Sequence, residues 1–524
     1  MNNSEMHCSP DYHLGHVILE HSKRHADTVC QIDAATGDEE TYSSVVSRSI
    51  RLARALRNYG LKPGDVVAVG GRNHLDLHIP VYAALYDGLP SVGVDPYFKY
   101  DEVRTLFNLT KPKIAFCQNE HVEVYDKAAR DLGLELKIVT FDHGNCTMSE
   151  FVNKYDTDEP LDEFKVAKID VDKVNAFLVS TSGTTGKVKV AAFNHQPFML
   201  KWLKVLQMSR MVKGHKRTLL ISPIHWISTC FTIFSTPLTG DTKIQTSKPD
   251  DFDHIVYIIN KYKPRNVLMS PTLMSYLMTR KDVDLECFRS VTVTGSRIYP
   301  DVFEKFKTLL SREAVASIAY GQTEMLGPIL LPNPAGPSGN CGQPLPFYDV
   351  KLIDQETRAE IKEPHVTGEM WVKGPCFTEY YQDPEETATA FTADGYFKTG
   401  DLLYRDEKNN YFYVERIKAL IKYRNSHVIP IELEDIIRKH PSVKDVCIIG
   451  VSDPLDGERP VACVIKRQGM EITAQEVKDM VASKLSKNKE LRGGVVFLNA
   501  FPQTSSGKLA RAKLLQVVMN SKRE

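Results

Sequence analysis

The chain has 524 residues, and its 66 Lys and Arg residues are balanced by 66 Asp and Glu residues. A chain with no net charge has no global field that favours nucleic acid or an anionic membrane surface, so its partners must be recognised locally. This length is sufficient for about two to four domains, which suits a large enzyme.

The ten cysteines are scattered singly, with no Cys-x-x-Cys pair. This spacing predicts buried thiols in a reducing compartment and argues against disulfides and structural zinc. The N-terminus has no basic region followed by an apolar one, and no apolar run reaches about 18 residues, so we expect no secretory signal and no membrane span. The chain ends in Lys522-Arg523-Glu524 and not in the peroxisomal address Ser-Lys-Leu, so a cytoplasmic location is expected.

Helical and strand patterns alternate from the start of the chain. Tyr42–Asn58 has apolar residues at helical spacing and stops at Gly60, and a short buried strand is predicted at Val66–Val69. Further strands are predicted at Ile114–Phe116, Phe177–Val179, Leu219–Ile221, Val267–Met269, Val291–Val293 and Val315–Ile318. This alternation predicts an α/β fold with mixed, largely parallel sheets flanked by helices, in which ligands bind beyond the carboxyl ends of the strands.

The pattern changes after Tyr411–Val414, where a short charged connector leads into a smaller unit. In that unit helices are predicted at Pro430–Lys439 and Thr473–Leu485, and strands at Val443–Ile449 and Val461–Ile465. We predict an N-terminal domain over 1–414, a hinge and connector over 415–422, and a small C-terminal α+β cap domain over 423–524. One continuous domain with a surface loop at the connector is the alternative.

The stretch from Ser180 to Lys189 combines hydroxyl residues and glycines with two lysines. Glycines let the backbone approach an anion, hydroxyl and N–H groups donate to it, and a lysine supplies a charge for the outer phosphates. The stretch therefore predicts a phosphate cradle, with ATP as the first candidate ligand. It is not a Walker loop, because only two residues separate Gly183 from Gly186 and a valine follows Lys187. A flexible polar linker is the alternative, and the buried strand directly before the stretch disfavours it.

Four further motifs follow in order along the chain. They are Ala319-Tyr320-Gly321-Gln322-Thr323-Glu324, Tyr396-Phe397-Lys398-Thr399-Gly400-Asp401, Glu415-Arg416-Ile417-Lys418 and Pro502-Gln503-Thr504-Ser505-Ser506-Gly507-Lys508. Their order and spacing resemble the adenylate-forming enzymes, a superfamily of acyl-CoA synthetases, stand-alone adenylation domains of peptide synthetases and insect luciferases. The resemblance runs from about Tyr42 to Leu515 and is greatest to the branch of 4-coumarate-CoA ligases, insect fatty acyl-CoA synthetases and luciferases.

The resemblance implies an enzyme that uses ATP and Mg²⁺ to activate a carboxylic acid as its acyl-adenylate, with release of pyrophosphate. The substrate carboxylate attacks the α-phosphate, so the protein supplies alignment and charge neutralisation, not a nucleophile. Thr323 would contact the α-phosphate, Asp401 the ribose hydroxyls, and Glu324 would be the magnesium ligand. The full set implied for ATP or AMP binding is Ser182, Gly183, Thr184, Thr185, Gly186, Lys189, Gly295, Tyr320, Gly321, Thr323, Asp401 and Arg416.

Two lysines are implied to be catalytic, together with Thr323 and Glu324. Lys508 would contact the carboxylate and the α-phosphate during adenylation, and Lys422 would enter the cleft after the cap rotates for the second half-reaction. Glu415 lies where the family hinge residue is usually aspartate, and a change in a few backbone angles there would move the whole cap. The resemblance thus favours a mobile cap over a single continuous domain.

The resemblance also implies a pocket for the acyl group or luciferin. Its residues are His225, Trp226, Ser296, Gln322 and Met325. Trp226 stands where close relatives often have histidine and would offer a broad aromatic surface, whereas an isolated His225 is more typical of a packed residue than of a catalyst. Asn425 replaces a usual glycine, and its side chain would narrow the path of the pantetheine arm of CoA. Val188 and Val190 replace a common proline and glycine, which predicts a mildly stiffer cradle.

Two fates of the adenylate fit these motifs, because Lys422 serves either. One is oxidation by O₂ with light emission, as in insect luciferases, and the other is transfer of the acyl group to CoA. Two residues favour oxidation by O₂. Asn425 would crowd the path of CoA, and Trp226 would suit stacking on a planar aromatic acid. A nucleotide-binding protein without turnover is disfavoured by the intact Lys508 and Glu324. The expected partner is a small-molecule carboxylic acid, with no nucleic acid and no membrane span.

Overall fold

The computed structural model describes residues 11–157, 159–182, 188–209, 216–249, 251–424, 426–503 and 508–524. The chain folds as two compact units. The first comprises the described residues up to Asp349 together with Lys373–Gly395, and the second comprises Val350–Val372 together with Tyr396–Glu524. A functional domain boundary at the 415–422 connector stays a prediction.

Helices and strands alternate along the first unit, as predicted. Its helices are α1 (Leu14–Arg24), α2 (Tyr42–Tyr59), α3 (Ile79–Asp87), α4 (Tyr100–Thr110), α5 (Val122–Asp131), α6 (Met148–Tyr155), α7 (His195–Ser209), α8 (Ile227–Thr239), α9 (Phe252–Tyr262), α10 (Pro271–Leu277), α11 (Pro300–Lys307) and α12 (Pro384–Ala390). Its strands are β1 (Val29–Asp33), β2 (Glu39–Thr41), β3 (Val67–Gly70), β4 (Ser91–Val94), β5 (Ile114–Cys117), β6 (Lys137–Thr140), β7 (Asn175–Ser182), β8 (Val188–Asn194), β9 (Arg217–Leu219), β10 (Thr242–Gln245), β11 (Asn266–Met269), β12 (Ser290–Val293), β13 (Val315–Ile318), β14 (Gly321–Gln322), β15 (Gly327–Pro328), β16 (Leu330–Leu331), β17 (Gln343–Pro344) and β20 (Glu379–Tyr380).

The larger sheets of the first unit are mostly parallel. One has the strand order β13-β12-β11-β9-β10-β1-β2, in which β2 is antiparallel to β1. The other has the order β20-β8-β7-β4-β3-β5-β6, in which β8 is antiparallel to both β7 and β20. Helices α9, α10 and α11 pack on the first sheet through buried apolar side chains such as Ile255, Leu273 and Phe306. Mixed, mostly parallel sheets with helices on their faces confirm the predicted α/β class.

Most of the predicted elements are present, because their boundaries are set by local chemistry. Helix α2 begins after Thr41, whose hydroxyl accepts a hydrogen bond from the Ser44 N–H, and ends at Gly60, whose φ of 110° favours glycine. The predicted strand at Leu219–Ile221 is wrong at both ends, since β9 covers Arg217–Leu219. The chain leaves the sheet beyond Leu219 to run toward α8, and the apolar pattern does not show that departure.

The second unit contains two sheets among its described residues. Its strands are β18 (Asp349–Ile353), β19 (Gly368–Lys373), β21 (Phe397–Arg405), β22 (Tyr411–Arg416), β23 (Ile421–Tyr423), β24 (Ser426–Val428), β25 (Val443–Asp453), β26 (Gly457–Lys466) and β27 (Gly494–Phe497), and its helices are α13 (Pro430–Ile437), α14 (Ala474–Ala482) and α15 (Arg511–Met519). One sheet has the order β18-β19-β21-β22, and the other has the order β24-β23-β26-β25 with β27 parallel to β26.

The alternation of apolar residues along β25 places helices on both faces of the second of these sheets. Val446 and Ile448 pack with Leu433 of α13 and Val477 of α14 on one face. Cys447 and Ile449 point to the opposite face and pack with Leu514 and Val518 of α15. The predicted α+β character of this part of the chain is confirmed. Among the described residues, no helix is long and apolar enough to span a lipid bilayer.

Candidate active site

The segments that follow β12 and β13 leave their sheet side by side. These strands are parallel neighbours, so Gly295–Ser296 and Tyr320–Gly321 emerge at the same edge, where parallel sheets bind ligands. The Thr294 hydroxyl joins them by donating a hydrogen bond to the Ala319 carbonyl oxygen over 2.9 Å. Gly295 is exposed with a φ of 100°, and Tyr320 is buried. The structure thus brings Gly295, Tyr320 and Gly321, which are expected to bind ATP or AMP, to the same edge of the sheet.

Thr323 and Glu324 lie in the turn of a tight hairpin formed by β14 and β15, which we name the site hairpin (residues 321–328). A β-carbon at Gly321 would lie 2.2 Å from the carbonyl oxygen of Gly327, so the close approach of the strands requires glycine there. Leu326, whose φ is 59°, closes the turn by donating its N–H to the Thr323 carbonyl oxygen over 2.9 Å. The backbone that carries Thr323 and Glu324 therefore has a defined geometry.

Glu324 is held through both its main chain and its side chain. Its carbonyl oxygen accepts the N–H of Phe377 over 2.7 Å, and its Oε1 accepts the hydroxyl of Tyr380 over 2.8 Å. In nucleotide sites Mg²⁺ is usually bound by one or two carboxylates together with phosphate oxygens. Glu324 is half-buried, and its carboxylate is oriented by the Tyr380 hydroxyl. It therefore fits the role of a magnesium ligand. Among the described residues, no group of three or more His, Cys, Asp or Glu side chains forms a metal cage of its own.

Lys189 contacts the same tyrosine. Its Nζ lies 4.8 Å from the centre of the Tyr380 ring and forms an ion pair with Glu386 near the start of α12. Because Lys189 lies on β8 and the Tyr380 hydroxyl binds Glu324, Tyr380 connects one end of the predicted cradle to the predicted metal ligand. No sequence pattern predicts this connection.

The predicted cradle is partly strand. Ser180–Ser182 belongs to β7 and Val188–Lys189 to β8, and these strands pair as an antiparallel hairpin. The expectation that the strand ends before Ser180 is therefore wrong, because residues at both ends of the stretch pair with each other in β7 and β8. The predicted phosphate-binding residues Gly183, Thr184, Thr185 and Gly186, and also Asn425, lie outside the described residues.

His225 and Trp226 directly precede α8. A β-carbon at Gly93 on β4 would lie 2.5 Å from the His225 Cα, so the backbone here packs against the sheet. His225 Nε2 lies 3.4 Å from Asp95 Oδ2; burial lowers the pKa of His225, and the Asp95 carboxylate opposes this shift. In the described part of the chain Nδ1 has no hydrogen-bond partner, and the ring lines a narrow apolar cavity beside Phe177. His225 is thus a packed residue with one acidic neighbour.

Trp202 of α7 packs beside the site hairpin and is buried. It stacks on Phe231 with ring centroids 3.8 Å apart, and a β-carbon at Gly327 would lie 3.1 Å from the Trp202 ring. Trp226 is half-buried and meets His225 edge to face, with centroids 6.2 Å apart. That Trp226 offers an aromatic surface to the acyl group stays a prediction.

The other predicted pocket residues divide by exposure. Gln322 and Met325 in the site hairpin are buried, and Ser296 beyond β12 is exposed. Whether they contact an acyl group stays a prediction.

The predicted ribose ligand Asp401 lies in the second unit. It is buried on β21, opposite Arg416 on β22, and its Oδ1 lies 2.9 Å from the Arg416 Nε. The predicted hinge residue Glu415 is also buried, and its Oε2 lies 3.7 Å from Nη2 of Arg511. Two residues expected to bind nucleotide are therefore paired with each other, and the expected hinge residue has an arginine partner from α15.

The predicted catalytic lysines are both exposed residues of the second unit. Lys422 lies on β23, with its N–H donating to Glu458 over 2.7 Å. Lys508 directly precedes Leu509, which forms a β-bridge with Gln503. Both positions leave a long side chain at the surface of the unit, and their catalytic roles stay predictions.

Sequence reasoning missed several residues that hold this site together. Tyr348, Tyr380 and Asp95 had no distinguishing pattern. Lys201 had one, because it interrupts the apolar stretch from Phe198 to Trp202 in α7, and it is 0% exposed.

Comparisons with known proteins identify the family. The family of AMP-binding enzymes matches residues 18–382, and the AMP-binding enzyme C-terminal domain matches residues 432–508. Luciferin 4-monooxygenase of Photinus pyralis is 27% identical over 97% of this chain and 95% of its own length. The 4-coumarate–CoA ligase-like protein 6 of Oryza sativa subsp. japonica is 28% identical over 94% of this chain and 84% of its own.

The solved structures share the fold. The crystal structure of ATP-bound MatB from Rhodopseudomonas palustris superposes with a TM-score of 0.85 and 23% identity, over 97% of this chain and 99% of that one. The chain belongs to the AMP-binding enzymes, the adenylate-forming superfamily whose members related to it include luciferases, 4-coumarate–CoA ligases and acyl-CoA synthetases.

Proposed function

We propose that this adenylate-forming enzyme activates a planar aromatic carboxylic acid with ATP and Mg²⁺, and that O₂ then oxidises the adenylate with light emission. In the first step a carboxylate oxygen attacks the α-phosphorus of ATP and pyrophosphate leaves. The observation that carries this step is the placement of Glu324. This residue lies in the site hairpin, which follows β13, and the Tyr380 hydroxyl holds its carboxylate. Such preorganised charge is the main contribution a protein makes to this chemistry.

In this proposal each part of the first unit has one task. Thr323 contacts the α-phosphate, Glu324 holds Mg²⁺, and the cradle that ends at Lys189 holds the outer phosphates. Bound Mg²⁺ supplies charge neutralisation at the phosphates. The Lys189–Glu386 ion pair keeps the lysine near Tyr380, so nucleotide binding requires either exchange of this partner or a phosphate placed beside it.

The second unit contributes the ribose ligand and the catalytic lysines in the same proposal. Asp401 accepts both ribose hydroxyls, and its neighbour Arg416 orients the carboxylate. Lys508 serves the adenylation step and Lys422 the second step, with Glu415 as the hinge.

A planar aromatic acid is favoured by Trp226, whose half-buried ring lies at the start of α8. The buried stack of Trp202 on Phe231 packs against Gly327 and supports the site hairpin from below. Aromatic pairs contribute about 0.5–1.5 kcal/mol beyond the apolar area that they bury. A flat ring system gains this contribution, whereas a flexible aliphatic chain does not.

The second step is proposed from the relatives and from the character of the pocket. Luciferin 4-monooxygenases are among the proteins that match more than nine tenths of the chain. Oxidation of an activated acid by O₂ needs a water-excluding pocket and a well-placed lysine, for which Lys422 is the candidate. Transfer to CoA is the second candidate function, because the ligase-like protein of Oryza sativa is as similar in sequence as the luciferin 4-monooxygenases.

Two assays on the purified protein test this proposal in sequence. The first measures exchange of labelled pyrophosphate into ATP across a panel of aryl and fatty acids, with Lys508→Ala as the inactive control. Exchange that depends on an aryl acid supports the first step, and no exchange with any acid contradicts it. The second assay scores light with candidate luciferins in parallel with thioester formation from CoA. Thioester formation and darkness with every luciferin would overturn the oxidation step in favour of the ligase. A rise in CoA-dependent turnover in Asn425→Gly would support the crowding argument.

A further inference from the structure

We propose that Lys201 is a positioning residue for adenylation, which holds the site hairpin through two main-chain carbonyl groups and so sets the orientation of Thr323 and Glu324. This inference rests on the roles proposed above for Thr323 and Glu324. It concerns a side chain that lies beneath the site and not one that contacts substrate.

The contacts of Lys201 place one ammonium group across the site hairpin. The residue lies within α7 and is 0% exposed. Its Nζ donates hydrogen bonds to the carbonyl oxygen of Met325 and to that of Pro328, the second over 2.8 Å. Met325 directly follows Glu324, and Pro328 ends the returning strand β15. One cation therefore ties the turn to the strand that leaves it.

The surroundings of this ammonium group are aromatic. The Nζ lies 5.1 Å from the centre of the Tyr348 ring and 5.5 Å from that of Trp202. The Tyr348 hydroxyl also lies 2.8 Å from the Met325 carbonyl oxygen. Among the described residues no carboxylate forms an ion pair with Lys201. Burial lowers the pKa of Lys201 well below its usual value, and the nearby Cys376 opposes this shift.

A buried amino group without an acidic partner is costly, since removing such an ion from water costs several kcal/mol. A methionine or leucine would fill the same space between Trp202 and Tyr348 without that cost. What the apolar side chains cannot do is donate hydrogen bonds to the two carbonyl oxygens. The lysine therefore serves the geometry of the hairpin at the expense of stability.

The hairpin needs such support because its own ladder is short. Strands β14 and β15 pair through Gly321 with Pro328 and Gln322 with Gly327, and an isolated hairpin of that size has little stability. The Met325 carbonyl belongs to the peptide group between Met325 and Leu326, so a rotation of that group would shift the turn that carries Glu324. In enzymes a displacement of about 1 Å reduces the rate about 100-fold.

The alternative is that Lys201 is only a core residue, whose loss lowers stability everywhere in the first unit. Lys201→Met keeps the length and the apolar stem and removes the charge and the donors. Lys201→Arg keeps a charged donor. The matched control is Lys204→Met, since Lys204 lies on the same helix and is exposed. Tyr348→Phe removes the other side-chain hydroxyl at the Met325 carbonyl and retains the ring.

The test combines hydrogen exchange of backbone amides with pyrophosphate exchange at several Mg²⁺ concentrations. We expect Lys201→Met to lose amide protection across 321–329 while the remaining sheet strands keep theirs, and to reduce kcat by about 10- to 100-fold with a higher Mg²⁺ requirement. Lys201→Arg should recover part of both losses, Lys204→Met should match wild type, and Tyr348→Phe should show a smaller loss in the same segment.

Unchanged protection of 321–329 in Lys201→Met, or a uniform loss throughout the first unit with kcat following the folded fraction, would overturn the inference. If Lys201→Met does not fold, Lys201→Arg decides, because the planar guanidinium differs in shape from the ammonium group and should restore only part of the two hydrogen bonds. Wild-type protection of 321–329 together with a wild-type kcat in that variant overturns the inference. Absence of pyrophosphate exchange in the wild-type protein would refute the proposed function, whereas the protection of the hairpin still decides the role of Lys201.

Discussion

Tyr380 joins the predicted metal ligand to one end of the predicted phosphate cradle, and its hydroxyl can be removed without disturbing its ring. The hydroxyl donates to Glu324 Oε1 over 2.8 Å, while the ring faces Lys189 Nζ at 4.8 Å and packs against Phe377 at 4.8 Å. Tyr380→Phe keeps both ring contacts. The variant therefore isolates the contribution of one hydrogen bond to the orientation of Glu324.

The magnitude follows from the burial of Glu324. A hydrogen bond to a charged group contributes about 1.5–3 kcal/mol. Since Glu324 is half-buried, water can replace the lost hydroxyl, and we expect the lower end of that range. At about 1.4 kcal/mol per factor of ten, this loss corresponds to about a tenfold fall in kcat/KM. The concentration of Mg²⁺ that gives half the maximal rate should rise as well, because the metal ligand is no longer oriented in advance.

The assay is pyrophosphate exchange over a range of Mg²⁺ concentrations. Tyr381→Phe is the control, because the neighbouring Tyr381 is half-buried and its hydroxyl interacts with Gln382 instead of Glu324. Wild-type kcat/KM and wild-type Mg²⁺ dependence in Tyr380→Phe would refute the argument that Tyr380 orients Glu324. An equal loss in both variants would mean that the effect is not specific to the hydrogen bond.

Lys508→Ala should abolish adenylate formation and spare the reaction of a supplied synthetic acyl-adenylate, and Lys422→Ala should do the reverse, because each lysine serves one half-reaction; equal losses in both assays for both variants would contradict this division. Gly321→Ala should destabilise the first unit by about 1–3 kcal/mol in urea unfolding, because its β-carbon would collide with the carbonyl oxygen of Gly327. Burial lowers the pKa of His13 from 6.5 to about 4. As the pH falls, the unfolded chain therefore binds a proton at a higher pH than the folded protein does. The free energy of unfolding should therefore fall by about 3 kcal/mol as the pH is lowered through that interval.

The controls for the last two predictions come from the same chain. An unchanged unfolding midpoint in Gly321→Ala would show that the hairpin opens without cost. His13 Nδ1 accepts the Gly15 N–H over 3.2 Å and Nε2 lies 2.9 Å from the Ala167 carbonyl oxygen, so a proton on Nδ1 breaks the first contact. His13→Gln should flatten the pH dependence and the exposed His143→Gln should not. Equal slopes in both variants would contradict the assignment to His13.

Much of the fold could be predicted from the sequence, because the elements that build it are specified locally. Thr41 and Gly60 bound the apolar pattern that forms α2. The strand predicted at Val315–Ile318 has the same bounds as β13. Once strands are placed, the rule that ligand-binding segments follow them brings Gly295 and Tyr320 to one edge without further information.

The contacts that hold the site could not be predicted, because each joins side chains that are distant along the chain. Lys201 and Pro328 meet only when α7 packs beneath the site hairpin, and a lysine in a helix is usually an exposed residue. Tyr380 reaches Glu324 because β20 extends the sheet beyond β8. The cradle prediction erred at Ser180 for a related reason, since β-ladder pairing extended the strand into residues whose composition is typical of a loop.

The support of the site hairpin is divided between two parts of the first unit, and this division has a functional consequence. Lys201 and the buried Trp202 approach from α7, and the Trp202 ring packs against Gly327. Phe377 and Tyr380 approach from the 373–395 segment and bind Glu324 itself. Substitutions on α7 should therefore alter the backbone of the turn, while substitutions at Tyr380 alter the side chain of the predicted metal ligand alone. A substitution at Trp202 is compatible with adenylation only if Lys201, the preceding residue in the chain, keeps its hydrogen bonds to the hairpin.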